Sequence, residues 1–579
     1  MPSGEQYNRS LDGVFDAHTC LSHPHRPMVY WASQGKHMFD GLAGKHHPAI
    51  IQREAGMWRE RAAQAEQQAQ SAATARAPHR RRTTRKQPEP LTLTLDEARG
   101  LALLAQGLEQ VAGATDFSPS FPIRARGIQA RDTISDAPAQ VRGRPPDATT
   151  AVPSCVPADQ PITLADLSAL IERLGVVQVD TISVVERSQY LVLWSRLGAY
   201  ENRLLDQLLS PARGIFEYWS HAASIVPMSD YPYYRRSMVD KRAHIWDSDW
   251  ASLVTWMDAN PDVVQRTLAA IRDRGPLASA DFERPADGRR ASAWDWYGPK
   301  ESRRALDVLW TLGDLMIASR RGGQKLYDLR ERVLAEAFGD DIPRDDALPT
   351  PEEQLRHFAL RTVHALGVLL PSWLWDYFRL SDSHRSLAHA MGATVGASAP
   401  RSPAKRASAQ TLLDGFAREG IVVPARIAGF DEPAYLASGR LADLDHLRAG
   451  WTPQRTTLLS PFDNLIWDRA RARTLFGYEV CFEAYVLPEK RRYGYYCLAI
   501  LHQGKLVGRL DPKMDRRERR LIVRAVYLEP GVVLDDTLLD GLAGTLRDLA
   551  RFLGGEAVTI ERSDPAALAP ALGERLATL

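Results

Sequence analysis

A pattern of helices separated by tight breaks recurs three times in this chain, and it limits the architecture more than any single motif does. "PITLADLSALIERLG" is capped by Thr163, carries Leu164, Leu167, Leu170, Ile171 and Leu174 on one face, and stops at Gly175. "QVDTISV" follows at once, then a further helix, "VERSQYLVLWSRLG". Upstream, "LTLTLDEARGLALLAQGL" has Thr94 and Glu97 as a capping box, with Leu95, Ala98, Leu101, Ala102 and Ala105 at helical spacing. Helix, insertion, helix, short apolar turn, helix is the order of a helix-turn-helix unit.

The second occurrence is "NPDVVQRTLAAIRDRGPLASADF", which predicts a helix, a Gly-Pro turn and a second helix capped by Ser279. "GPKESRRALDVLWTLGDL" is its third helix, and "LMIASRRGGQKLYDL" closes it as a hairpin with its tip at Arg320–Gly323. The third begins at "TPEEQLRHFALRTVHALG", where Thr350 caps, Pro351 takes the first helical position and Glu353 completes the box. "LPSWLWDYFRL", then "AQTLLDGFAREG" after a Ser/Ala/Pro-rich insertion, supply two more helices, and "IVVPARIAG" starts a wing. Three helices closed by a hairpin make a winged helix. Such units either bind DNA or dock proteins, and fold alone does not choose between them.

Beyond these units the pattern changes. "EVCFEAYVLPEKRRYGYYCLAILHQGKLVGRLDPKMDRRERRLIVRAVYLEPG" alternates and is rich in aromatic and β-branched residues, which predicts an antiparallel sheet. Between Glu489 and Arg520 it holds ten Lys/Arg against four Asp/Glu, with Tyr493, Tyr495 and Tyr496 interleaved. Basic residues suit phosphates and aromatics suit unstacked bases. A solvated basic edge, which discourages strand pairing between molecules, gives the same composition. In a chain of 579 residues with a net charge of only +2, nucleic-acid binding has to come from such local patches.

The expected class is therefore α+β: tandem winged-helix repeats, a β-rich C-terminal domain and a disordered N-terminal tail. The expected division is 1–90 as a disordered basic tail, 91–260 as the first helix-turn-helix unit with an aperiodic insertion at 111–160, 261–345 and 346–450 as the second and third winged helices, and 451–579 as the β-rich, DNA-contacting domain. The tail has six basic residues between Arg76 and Lys86, as in either a solvated linker or a phosphate contact. His18, Cys20, His23 and His25 match no zinc spacing, so no metal is expected. Cys20, Cys155, Cys481 and Cys497 show no CxxC pair, which fits a reduced cytosol. The first residues lack a secretory pattern, and no apolar run approaches the roughly 20 residues that span a bilayer. A cytoplasmic chain that does not engage a membrane is expected. No heptad or dimer helix is visible, so a monomer is expected.

Inside the apolar "GVVQVDTISV", Gln178 and Asp180 stand two apart with Val179 between them. In extended backbone both polar side chains share one side. They are either a satisfied hydrogen-bond pair, with Asp180 in an Asx turn that caps the next helix, or a place of chemistry.

Several segments in order then resemble a known family, from about Leu91 to the C-terminus. They are "EARGLALLAQGL", "ERLGVVQVDTISVVERSQYLVLWSRLGAY", "FEYWSHAASIVP", "KESRRALDVLWTLGDLMIA", "LLSPFDNLIWDRARARTLFGYEVCFEAYV" and "EKRRYGYYCLAILHQGKLVGRLDPKMDR". Together they are similar to the bacterial winged-helix DNA glycosylases of the YcaQ and AlkZ type, which act on alkylated bases and interstrand crosslinks. The family's Gln, apolar, Gln-or-Asp signature falls on Gln178, Val179 and Asp180 in the Asp form, which resembles the YcaQ branch and implies a broad alkylation-repair enzyme. The insertion and the long tail depart from the family pattern.

The resemblance implies a nucleoid-associated enzyme acting on double-stranded DNA with alkylated or crosslinked purines. N7-alkylguanine is cationic and leaves readily, so the reaction needs a carboxylate beside an oxocarbenium-like sugar, a positioned water and no cofactor or metal. Asp180 and Gln178 are the implied catalytic pair. No lysine lies near them in sequence, which favours water over an amine as nucleophile. His221 is a candidate lining residue. Asp463 and Asn464 either form a turn or join the site. Arg469, Arg471, Lys490, Arg491, Arg492, Tyr493, Lys513 and Arg516 are the candidate DNA contacts. A winged-helix regulator without catalysis is the alternative.

Overall fold

The computed structural model describes residues 89–109, 161–243, 251–282, 301–379 and 403–578. The readings made for the tail, its His/Cys group, the 111–160 insertion and Cys155 lie outside these residues.

The local signals form as hydrogen-bonded devices. After β1 (Leu91–Leu93), Thr94 and Glu97 exchange side-chain-to-backbone bonds at 3.1 and 2.6 Å and start α1 (Leu95–Ala105). Thr163 and Asp166 do the same for α2 (Leu164–Leu174). Gly175 ends α2 in the left-handed region at φ 71°, where a Cβ would also stand 2.9 Å from the Phe378 ring.

Next come β2 (Val177–Gln178), α3 (Ser188–Leu197), α4 (Arg203–Leu209) and the hairpin β3 (Ile215–Trp219)–β4 (Ala223–Pro227), with strands ordered β2-β4-β3. After α5 (Tyr231–Arg242) and α6 (Ala251–Ala259), a second run gives α7 (Pro261–Arg274), α8 (Glu301–Thr311) and the hairpin β5 (Leu315–Arg321)–β6 (Gln324–Leu329). Leu277 bridges Tyr327 on that hairpin, in the place β2 takes in the first run. Past α9 (Arg330–Phe338), a third run gives α10 (Pro351–Leu366), β7 (Val368–Leu369), a turn-rich stretch, α11 (Pro403–Arg418), β8 (Val422–Ile427) and β9 (Ala434–Ala437).

One grouping differs from the sequence reading. β1 pairs in parallel with β8, Leu91 opposite Ala425, so β1 joins the third run's sheet in the order β1-β8-β9-β7. The helix expected to open the first unit is thus attached to the third. Its partner strand lies more than three hundred residues away, beyond any local signal. Residues 370–379, the described part of "LPSWLWDYFRL", form one short 3-10 turn, Pro371–Trp373, followed by turns, instead of a regular helix.

After α12 (Leu441–Arg448), the C-terminal part contains β10 (Thr456–Leu459), α13 (Arg469–Phe476), β11 (Leu498–His502), β12 (Lys505–Asp515), β13 (Arg520–Leu528), α14 (Asp536–Phe552), β14 (Ala557–Ile560), β15 (Ser563–Asp564) and α15 (Leu568–Thr578). β10 to β13 are antiparallel neighbours, while β14 and β15 each pair in parallel with β13. The alternating stretch 479–497 was expected to be strand and forms no ladder. The Glu483 carboxylate accepts the backbone N–H groups of Arg492, Tyr493 and Gly494 at 2.9, 2.8 and 3.2 Å, which folds this stretch into a loop. No helix among the described residues is long and apolar enough to cross a membrane.

The C-terminal sheet is docked on the first run. Phe552 stacks on Trp194, Thr457 donates to the Ser195 carbonyl, and the Met514 N–H donates to Val184 O at 3.0 Å. The loop that follows Asp180 is therefore held between the two.

Candidate active site

β2 lies beside β4, with Gln178 opposite Ser224, and the Val179 N–H donates to Ala223 O at 2.8 Å. Its entry is pinned from the C-terminal part: Asn464 Nδ2 donates to Val176 O and to the Tyr377 hydroxyl, both at 2.8 Å. Tyr377 in turn donates to Leu174 O.

Side chains alternate here in the reverse of the usual sense. Gln178 and Asp180 are buried, at 5% and 8% exposure, while Val179 between them is more exposed. Burial free energy favours the opposite arrangement. Gln178 Oε1 is buried and meets no hydrogen-bond partner among the described residues, which invites water or substrate.

Asp180 is richly bonded. Its Oδ1 accepts the Ile182 N–H, an Asx turn, and its Oδ2 accepts the Ser188 N–H and the Tyr496 hydroxyl, each at 3.3 Å. Ser188 begins α3, whose own cap residue Arg187 makes no side-chain cap, so Asp180 does serve that helix end. Tyr496, Ser460 and Ser188 continue as a buried hydroxyl chain at 2.9 and 2.8 Å. Despite these donors, burial pushes the Asp180 carboxyl above its ordinary 3.8; the bonds from Ile182, Ser188 and Tyr496 only offset part of that push.

His221, in the turn between β3 and β4, stacks on Trp467 with centroids 4.1 Å apart and planes 8° from parallel. Arg379 donates to its Nε2, so its Nδ1–H donates to Asp376 O and the ring is neutral. Burial and the adjacent Arg379 hold its pKa well below 6.5. Asp463 N–H closes a turn on Ser460 O, and the Asp463 carboxylate makes a two-pronged pair with Arg196 at 2.6 and 2.9 Å. The turn reading holds, and the turn also supplies Ser460 and Asn464 to the surroundings of β2.

A family model described as DNA glycosylase AlkZ-like matches residues 171–552. The chain belongs to the AlkZ-like DNA glycosylase family. Among solved structures, Streptomyces sahachiroi DNA glycosylase AlkZ is similar over 81% of this chain and 100% of that one, at 14% identity and a TM-score of 0.45. The family match begins inside α2 and ends with α14, so it includes Gln178, Asp180, His221, Asn464 and Tyr496.

The expected DNA contacts of this AlkZ-like chain fall into three groups. Lys490, Arg492 and Arg516 are exposed, and Arg469, Arg491, Tyr493 and Lys513 are half-buried. Arg471 is buried, donates to Asn464 O at 2.5 Å and lies over the Tyr377 ring, so its expected phosphate contact is not available. Arg516 donates to Val185 O and Ser183 O and so holds the loop after Asp180. The Tyr493 ring is flanked by Arg492 and Arg509, at 4.7 and 4.3 Å. Tyr496, grouped by sequence with surface aromatics, is the buried partner of Asp180. Ser188, Ser460 and Gln189, whose Oε1 accepts the Asp180 N–H at 3.3 Å, carried no spacing signal that would have picked them out.

The Tyr496 hydroxyl favours the ionised form of Asp180, so Tyr496→Phe should raise that carboxyl further. If ionised Asp180 is the active form, excision falls as pH drops through its raised pKa. The acid limb of the pH–rate profile should then lie above 3.8 and move higher still in Tyr496→Phe. A limb that does not move would mean Asp180 does not govern the rate.

Proposed function

We propose that this chain is a monofunctional DNA glycosylase that hydrolyses the N-glycosidic bond of cationic N7-alkylguanine and unhooks interstrand crosslinks at such bases. The observation that carries the reading is the inverted burial at β2. A carboxylate raised by burial and an amide oxygen without a partner among the described residues occupy inward positions that apolar side chains would fill more stably.

The base departs with the bonding electrons and neutralises its own positive charge, leaving an oxocarbenium-like sugar. Ionised Asp180 stabilises that cation and takes a proton from the attacking water. Gln178 Oε1 accepts from the same water and holds it in line. His221, neutral and stacked on Trp467, lines the approach to β2 without adding charge. The three helix–strand–helix–hairpin runs are read as winged helices, with Gly322–Gly323 as the tip of the second wing. A monomer working on nucleoid DNA fits these roles.

Lys490 and Arg492 are exposed on the stretch that leads to Tyr496, the donor to Asp180, which suits phosphate contact. Changing both to alanine should weaken duplex binding and lower its log–log salt slope by roughly 0.9 per lost contact. An unchanged slope, measured by titration at several salt concentrations, would place both side chains away from DNA.

The reading is tested by incubating the protein with duplex DNA carrying N7-methylguanine. Release of free base supports a glycosylase. Tight binding without release supports a winged-helix binding protein in which Asp180 only caps α3.

A further inference from the structure

Leu441, Tyr485, Leu487 and Val533 are the large apolar side chains most exposed to solvent among the described residues. Tyr485 and Leu487, at 72% and 58% exposure, stand two residues apart on one loop. That loop is built to hold them out. Glu483 gathers three backbone N–H groups on its far limb, Val486 N–H donates to Glu483 O, Lys490 N–H donates to Leu487 O, and Arg491 Nε donates to Val486 O. A framed loop that presents apolar tips has a use for them in water.

Its position says what that use is. Tyr485 meets Phe482 edge-on at 5.8 Å, and Phe482 packs on Phe462 at 5.0 Å and on Tyr496 at 6.2 Å. Tyr496 donates to Asp180. The exposed tips thus lie at the outer end of a run of rings that starts at the buried carboxylate. Beyond Pro488 and Glu489 come Lys490, Arg491 and Arg492, three positive charges against the one carboxylate, close to an apolar point. Proteins that open duplex DNA combine these two features: apolar wedges unstack a base step while cations hold the flanking phosphates.

We propose that the loop from Phe482 to Arg492 is a duplex-DNA wedge, in which Tyr485 and Leu487 part a base step beside the target nucleotide and Lys490 and Arg492 hold the phosphates on either side. The inference rests on the glycosylase reading for the identity of the target. It adds the device that brings a stacked nucleotide to a buried carboxylate.

The test uses the full chain and a duplex with one N7-methylguanine flanked by 2-aminopurine, whose fluorescence rises on unstacking. Wild-type binding should raise the fluorescence. Tyr485→Ala/Leu487→Ala should abolish the rise and slow single-turnover excision from paired duplex by roughly 10- to 100-fold. The loss should be much smaller on the same lesion in single-stranded DNA, because no step has to be opened. Tyr485→Phe keeps the ring and should restore most of the effect.

Four results would overturn the wedge. One is a flat fluorescence signal with bound wild-type protein. Another is full duplex excision by the double variant, and a third is an equal loss on duplex and single strand. The fourth is a changed oligomeric state with DNA opening intact, which would make the tips a contact between copies of this chain. A rise in fluorescence without base release would separate the proposals, keeping the wedge and removing the glycosylase.

Discussion

Asp180→Asn should slow single-turnover base excision by roughly a hundred- to ten-thousand-fold, the range over which a positioned acid–base or charge-stabilising group acts. It should do so without unfolding the protein. Asparagine keeps the oxygen that accepts from Ile182 N–H, and its amide N–H can donate to the Tyr496 hydroxyl oxygen. It removes the charge and the acceptor of the long Ser188 N–H bond. Because burial raises this carboxyl's pKa, the folded state binds its proton more tightly than the unfolded chain does. The stability it contributes is present at low pH and is lost as pH rises through the folded pKa, so at neutral pH its ionised form costs stability. The neutral amide relieves that cost, which offsets the lost Ser188 bond, and the melting temperature should stay near level. A carboxylate needed only as a cap would behave in the opposite way. Its loss would lower stability by about 0.5–2 kcal/mol and leave the rate per folded molecule nearly intact. Rate and melting temperature measured on one preparation distinguish the two outcomes.

Arg196→Ala should be the most destabilising single change near the site, at about 3–5 kcal/mol, because it strands a fully buried charge. The Arg196 and Asp463 side chains are 1% and 0% exposed and meet through two parallel bonds. Arg196 also donates to Gln106 O and Val192 O, and Asp463 Oδ1 also accepts the Leu465 N–H. The pair ties α3 to the turn that carries Ser460 and Asn464. Its loss should therefore disturb the Asp180 hydroxyl chain and the clamp on Val176. Asp463→Ala should destabilise by a similar amount. The paired apolar change Arg196→Met/Asp463→Leu should recover much of the loss, since neither charge is left alone. Urea unfolding of the three variants tests this. A small effect from both single changes would mean that water reaches the pair.

What could be read from sequence was what acts over a few residues. The caps at Thr94, Thr163 and Thr350 and the stop at Gly175 depend on neighbours three or four positions away, and all four form, with Asp166 completing a box at Thr163 where only a cap was expected. The hairpin tip, expected at Arg320–Gly323 and formed at Gly322–Gly323 with Arg320 and Arg321 paired in β5, is similarly local. The pairing of β1 with β8 is not, and it moved α1 from one run to another.

At the site, the unusual place of Gln178 and Asp180 was visible as two polar residues in an apolar stretch. Their surroundings were not. Tyr496 and Ser460 reach Asp180 and Ser188 across hundreds of residues, and composition alone grouped Tyr496 with surface aromatics. Arg471 has the same residue type as its exposed neighbour Arg473, yet helix rotation turns it into the core. The alternation in 479–497 was misleading because Glu483 satisfies backbone donors that a strand would otherwise offer to a neighbour.

The most direct test of the account is mass spectrometry of a duplex carrying one N7-methylguanine after a single turnover in water labelled with heavy oxygen. The account predicts free N7-methylguanine, an unbroken strand with an abasic sugar that carries the heavy oxygen, and neither product with Asp180→Asn. Intact DNA that stays bound to the wild-type protein, or the same labelled products from Asp180→Asn at an undiminished rate, would contradict it.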